Sequence, residues 1–156
     1  DLVFSGLPAM PSLGAEVFAG DMAPVLGGGA FIAAAHLAAH GRSVCLLSRF
    51  GTDPISLALE NQFAAAGIAM DLVERAADAG PQVTIVMAHD DDRAFLSRRA
   101  GQALPLDYAR LLAGSTAGHL HIAEYATLVE HPDLVAQARQ LRTQRWRKSE
   151  RLEKRS

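Results

Sequence analysis

Residues 26–41, LGGGAFIAAAHLAAHG, decide how the rest of the chain is read. Three consecutive glycines, Gly27 to Gly29, run straight into small and apolar residues that end at Gly41. Glycine disfavours regular structure, whereas an alanine-rich run builds helix. The junction predicts a loop feeding a helix over Gly28–His40, closed by Gly41 as its C-terminal cap. A phosphate cradle, a sugar pocket and a plain loop-to-helix joint share that outline.

The first of these is weakly supported. A dinucleotide loop needs G-x-G-x-x-G after a strand; Gly27 and Gly29 match, but Ile32 stands where the third glycine belongs. The region some twenty residues on, Leu46-Leu47-Ser48, lacks the acidic residue that would grip a ribose, and no G-K-[ST] phosphate loop occurs. His36 and His40 lie one helical turn apart, yet the intervening HLAAH lacks the glutamate of a zinc-protease helix and no third ligand is evident, so no metal site is expected. His119 and His121 share one face of an expected strand, where packing is the simpler role. Asp90 to Asp92 lacks the glycine and closing glutamate of a calcium loop and reads as a hairpin turn.

Outward from the glycine run, strands and helices alternate. Leu2–Phe4 reads as a strand end, Gly6–Gly14 as a loop, and Glu16–Leu26 as one or two short strands. Ser43–Leu47, SVCLL, is the continuous apolar run of a strand buried on both faces. Asp53-Pro54 gives an N-cap and a first-turn proline for a helix to about Ala66, stopped by Gly67. Asp71–Ala76 suggests a short strand, and Gln82–His89 with Arg93–Arg98 suggests a hairpin. Leu106–Ala113 is expected to be helical, His119–Ala123 a strand, and Pro132 to about Leu141 a helix. The pattern predicts an α/β domain with a mostly parallel sheet and a small β appendage.

The 156 residues suit one domain, and 49% hydrophobic with 21% charged residues suffices for a core. Cys45 is alone, which excludes an internal disulfide and fits a reducing, cytoplasmic setting. No apolar run approaches the roughly 18–20 residues of a membrane span, and no signal-peptide pattern opens the chain. Asp1 leads directly into the strand-like LVF, which suggests a missing beginning. Seven Lys/Arg and two Asp/Glu fall in residues 142–156, against eight and fifteen in residues 1–141. The basic end with Trp146 is expected to be solvated or disordered, and the acidic remainder offers no complementary basic face, so nucleic acid is not an expected partner.

Four segments in order resemble the N-terminal half of the PfkB family of carbohydrate kinases, with its ribokinase-like fold: DLVFSGLPAMPSLGAEVFAG, LGGGAFIAAAHLAAHGRSVCLLSRFGTDPIS, GPQVTIVMAHDDDRAFLSRRAG and HLHIAEY. The resemblance covers residues 1–141, with β-lid strands at about 16–26 and 71–100, and leaves 142–156 as a basic tail. It implies that Gly28 and Gly29 let the backbone approach a polyhydroxylated substrate, a sugar or nucleoside, with no Cβ in the way. It implies that Asp1 and Glu124 accept hydrogen bonds from its hydroxyls, charge-assisted and two per carboxylate. Where the family commonly has a sugar-contacting asparagine, this chain has Ile32. The resemblance also implies ATP and Mg²⁺ as cofactors, an Asp general base in a C-terminal Gly-Ala-Gly-Asp motif, and allows a homodimer through the lid. These 156 residues contain no such motif. The expectation is therefore a truncated or frame-shifted kinase fragment, inactive alone; the alternative is a non-catalytic binding domain derived from one.

Overall fold

The structure, a computed structural model, describes residues 1–90 and 92–140. The expected tail at 142–156 and the helix end at Leu141 lie outside the described residues. The glycine-to-helix joint forms as its composition dictates. Gly28, at φ 85°, precedes helix α1 (Gly29–Ala39), and Gly41, at φ 72°, follows it. Both angles are left-handed, a region costly for residues with a Cβ. Helix α2 (Pro54–Ala65) starts on Asp53, whose carboxylate accepts from the Ile55 and Ser56 amides, and ends before Gly67 at φ 70°.

These two helices make the core. Ala34, Phe63 and Ile68 are buried together, with Phe31, Phe50, Val44 and Leu46 packed around them. Phe63 meets Phe31 and Phe50 edge-on, with ring centroids 5.4 and 5.3 Å apart. Edge-to-face pairs of this kind add about 0.5–1.5 kcal/mol each beyond burial. Alanines on α1 let it lie close: Ala38 Cβ would stand 4.0 Å from a Cβ on Gly67.

Four strands, β1 (Leu2–Ser5), β2 (Asp21–Pro24), β7 (Val83–His89) and β8 (Asp92–Arg98), form one sheet in the order β2-β1-β7-β8. The parallel β1–β7 pair is flanked by antiparallel neighbours on both sides. Its registers place Leu2, Phe4, Ile85, Met87 and Leu96 on one face and Val3, Val86 and Phe95 on the other. Both faces are thus apolar, and Phe95, Leu96 and Met22 are exposed. Between β2 and β7 the chain contributes two short parallel pairs. β3 (Val44–Cys45) pairs with β5 (Ile68–Ala69), and β4 (Ser48–Phe50) pairs with β6 (Val73–Arg75). Helices α3 (Tyr108–Gly114) and α4 (Tyr125–Glu130) follow, and residues 134–140 are helical.

Among the described residues three of the five strand pairings are parallel; the two antiparallel ones come from the tight turn at Asp90, which returns β8 onto β7, and from β2 closing on β1. Two expectations need correction. The SVCLL run contributes a two-residue strand with Cys45 exposed, since one edge pairs with β5 and the other borders a cleft. His119–Ala123 is not a strand: the segment has no ladder partner, and its apolar alternation alone cannot supply one.

Candidate functional site

The segment from Pro24 to Gly29 is held from both sides. Main-chain bonds join Asp1 N to Val25 O at 2.7 Å and Val25 N to Asp1 O at 2.9 Å, extending the β1–β2 pairing to the chain's first residue. From α2, the Gln62 side-chain oxygen accepts from Leu26 N at 2.9 Å while its nitrogen donates to Pro24 O at 3.2 Å. Gln62 therefore fixes the strand that delivers the glycine run. Nothing in the sequence marked it, because its role depends on a contact 36 residues away.

The glycine run is a contact surface for two carboxylates. A Cβ on Gly27 would sit 2.0 Å from Asp1 Oδ2, so the Asp1 side chain lies directly on the glycine backbone. A Cβ on Gly28 would stand 3.9 Å from Glu124 Oε1, and one on Gly29 would stand 3.5 Å from Ala123 O. Glu124 is exposed at the N-cap of α4, where its carbonyl accepts from Thr127 N, but its side chain caps nothing. Neither the Asp1 nor the Glu124 carboxylate hydrogen-bonds a described residue. Two carboxylates thus converge on one bare stretch of backbone, with their lone pairs available.

Asp1, Gly28 and Glu124 line a cleft of about 1010 Å³, together with Gly27, Phe31 and His121. Gly29 backs onto Ala123 beside that cleft, and Ile32, 51% exposed on α1, lies outside its lining. The structure thus brings four of the five sequence-derived positions together and leaves Ile32 apart. His119 and His121 both border the cleft, on a segment without strand pairing. His36 and His40 join no group of metal ligands, and among the described residues no three His, Cys, Asp or Glu side chains cluster as one.

A second polar cluster escaped the sequence entirely. Arg49, its side chain 4% exposed, donates from Nε to Glu74 Oε1 at 2.8 Å and from both terminal nitrogens to Asp78. Hydrogen bonding to Asp78 leads the causes that raise the Arg49 pKa; the same bonds hold the Asp78 carboxyl below its usual range. Glu74 Oε2 accepts from Leu106 N, which ties the chain beyond the β7–β8 hairpin to β6. Gly101 presses on this knot: a Cβ there would meet Asp78 O at 2.8 Å. Nearby, burial pushes the Asp53 carboxyl up, but the Ser56 hydroxyl and the Ser56 and Ile55 amides outweigh it and leave its pKa lowered. The Asp53 carboxylate fills the space between Gly51 and Gly80, where a Cβ on either would come within 2.3 Å of Oδ2.

The fold has known counterparts. A fructokinase from Halothermothrix orenii superposes with a TM-score of 0.62 at 18% identity, covering 90% of this chain and 50% of that one. Ribokinase from Cryptococcus neoformans var. grubii serotype A, solved in complex with ADP, gives 0.53 at 21% identity over 67% and 33%. A PfkB protein from Polaromonas sp. JS666 gives 0.50 at 29% identity over 66% and 33%. The chain has a partial ribokinase-like α/β fold, similar to that of these sugar kinases, and spans a third to a half of their length. No family model and no curated protein sequence matches it. No described helix is long and apolar enough to cross a membrane.

Proposed function

We propose that residues 1–140 form the substrate-holding portion of an ATP-dependent carbohydrate kinase of the PfkB type. The substrate class is a sugar or nucleoside whose vicinal hydroxyls bridge Asp1 and Glu124 over Gly28. The convergence of two uncommitted carboxylates on a side-chain-free backbone carries this reading. Each carboxylate accepts two hydroxyl donors with charge-assisted strength, and glycine permits the sugar to approach. Ile32, outside the cleft lining, takes no part in this reading. On this reading the lid is the sheet β2-β1-β7-β8, which holds Asp1 at one end; β2 falls within 16–26 and β7 and β8 within 71–100, while β6 pairs with β4 elsewhere. The lid also offers an apolar face, Leu2, Phe4, Ile85 and Leu96, to a second copy.

Nucleotide fits the described residues poorly. Two arginines border the cleft; Arg49 is committed to Glu74 and Asp78, and Arg42 is exposed on the turn after α1. ATP and Mg²⁺ enter the proposal as what the remainder of a complete kinase brings, namely the phosphoryl donor and its charge neutralisation. The residues here bind and orient a hydroxyl; proton removal belongs to a base outside them.

The test is ligand-dependent melting across pentoses, hexoses and nucleosides. At least one should raise the melting temperature of the parent chain. Gly28→Val should abolish that rise, because a β-branched side chain is strained at φ 85° and occupies the approach to Glu124. An equal rise in both proteins, or none in the parent, refutes the assignment.

A further inference from the structure

We propose that Gln62 is a positioning residue of the sugar site: its side-chain amide holds residues 24–26 in register and so sets how closely a hydroxylated substrate approaches the glycine run. This role rests on the substrate-holding reading of Asp1, Gly28 and Glu124. Val25 N donates to Asp1 O, so residue 25 turns its backbone groups toward β1. Backbone groups alternate between the two edges of a strand, so Pro24 and Leu26 turn theirs to the outer edge of β2. Among the described residues no strand pairs with that edge. Gln62 covers it instead: its Oε1 accepts from Leu26 N at 2.9 Å, and its Nε2 donates to Pro24 O at 3.2 Å. A residue of a parallel neighbouring strand bonds in the same pattern, with its N–H on one carbonyl and its C=O on the amide two residues further along. The side chain thus stands in for a strand at the last residues before Gly27.

The chemistry at this edge is specific. Pro24 has no N–H, so the edge offers one acceptor and one donor, and the Gln62 amide has a single orientation. Glutamate would set a second acceptor against Pro24 O, lysine could only donate, and methionine would do neither. The residues that follow, Gly27 to Gly29, have wide backbone freedom, so their path is set by what holds their two ends. One end is α1, which starts at Gly29; the other is Leu26. Register decides what the run presents. A slip of one residue moves the chain by about 3.3 Å and puts Leu26 where Gly27 stands. A Cβ at that place meets Asp1 Oδ2 at 2.0 Å, so the slip drives the Asp1 carboxylate off the run. Gln62 is itself firmly held. Its neighbour Phe63 is 3% exposed and meets Phe31 of α1 edge-on, with ring centroids 5.4 Å apart. The clamp before the run and the helix after it are therefore fixed to one core.

Amide-resolved NMR on the full chain tests this, with ribose, fructose and adenosine titrated separately into the parent, Gln62→Met, Gln62→Glu and Asn61→Met. Methionine keeps the length and helix propensity of glutamine but neither hydrogen bond. Asn61, an exposed neighbour on α2, makes the control. Without any probe, Gln62→Met should speed Leu26 amide exchange and shift the Gly27, Gly28 and Gly29 resonances, while the Ala34 and Phe63 amides stay in place. A probe that binds the parent should bind Asn61→Met equally and Gln62→Met about tenfold more weakly, the worth of about one hydrogen bond. In Gln62→Glu the deficit should shrink between about pH 7 and about pH 5, because a protonated carboxyl regains the donor for Pro24 O. That affinity is read as a ratio to the parent, in which Asp1 and Glu124 titrate as well. Equal affinity in the parent and Gln62→Met overturns the proposal. So do unmoved glycine amides in Gln62→Met, an equal loss in Asn61→Met, or a Gln62→Glu deficit that ignores pH. If none of the three probes moves the parent's glycine amides, the substrate reading itself falls and takes this role with it.

Discussion

Replacing Arg49 by methionine separates an organising ion cluster from an ornamental one. The side chain is 4% exposed, Glu74 is 27% exposed and Asp78 is 68% exposed. Breaking a fully buried pair costs about 3–5 kcal/mol, because the surviving charge stays unpaired in low dielectric. Here the two acids differ. Asp78 recovers water when Arg49 is lost and so contributes little to the cost. Glu74 is the expensive partner: its Oε1 is left without a donor while Oε2 remains fixed by Leu106 N. Methionine keeps much of the apolar stem, so packing losses stay small. The sum is about 3 kcal/mol for Arg49→Met, lowering the melting temperature by about 10 °C for a domain of this size. Asp78→Asn should cost far less, and Glu74→Gln should fall between, with strong coupling to Arg49 in a double-mutant cycle. Thermal and urea denaturation of the parent, the three single variants and the Arg49→Met/Glu74→Gln double variant give the answer. An Arg49→Met variant as stable as the parent refutes the reasoning, as does an Asp78→Asn variant as damaged as Arg49→Met.

Other outcomes follow from the same contacts. The Asp53 and Asp78 carboxyls have folded pKa values below their unfolded ones, so they stabilise the fold above about pH 4 and lose that contribution as pH falls. Acid titration of the melting temperature should therefore drop more steeply in the parent than in Asp53→Asn; parallel curves would rule out this linkage. Phe63→Ala removes both edge-to-face contacts at the core and should cost about 3–5 kcal/mol by urea denaturation; under about 1 kcal/mol contradicts its central place. Leu96→Lys should shift any self-association seen by sedimentation toward monomer, and an unchanged profile removes this face of the β2-β1-β7-β8 sheet as the contact.

The local signals were legible where they depend on neighbours in sequence. The glycine run, the Asp53-Pro54 start and the Val83–Arg98 hairpin announce themselves through backbone freedom, capping and β-branched alternation. The short strands β4 and β5 were not legible, because two or three residues carry no period. HLHIA has the composition of a strand, yet a strand needs a partner, and that partner is not specified locally. Helix α4 lacks a capping side chain, so YATLVE gave no start signal. For the site, Asp1, Gly28 and Glu124 were suggested only through the resemblance of the four ordered segments to the PfkB family. Arg49 and Gln62 were invisible, since an arginine or glutamine gains its meaning from acids or carbonyls 25 to 38 residues away.

The central claim, that Asp1 and Glu124 grip hydroxyls across the glycine run, is tested most directly by amide-resolved NMR titration with the sugar and nucleoside panel. The account predicts that a binding sugar shifts the Gly27, Gly28, Gly29 and Glu124 amides together. It predicts about ten- to hundredfold weaker binding in Gly27→Ala, whose Cβ displaces the Asp1 carboxylate while the fold persists. If no sugar moves those amides, or if Gly27→Ala binds as the parent does, the account is contradicted.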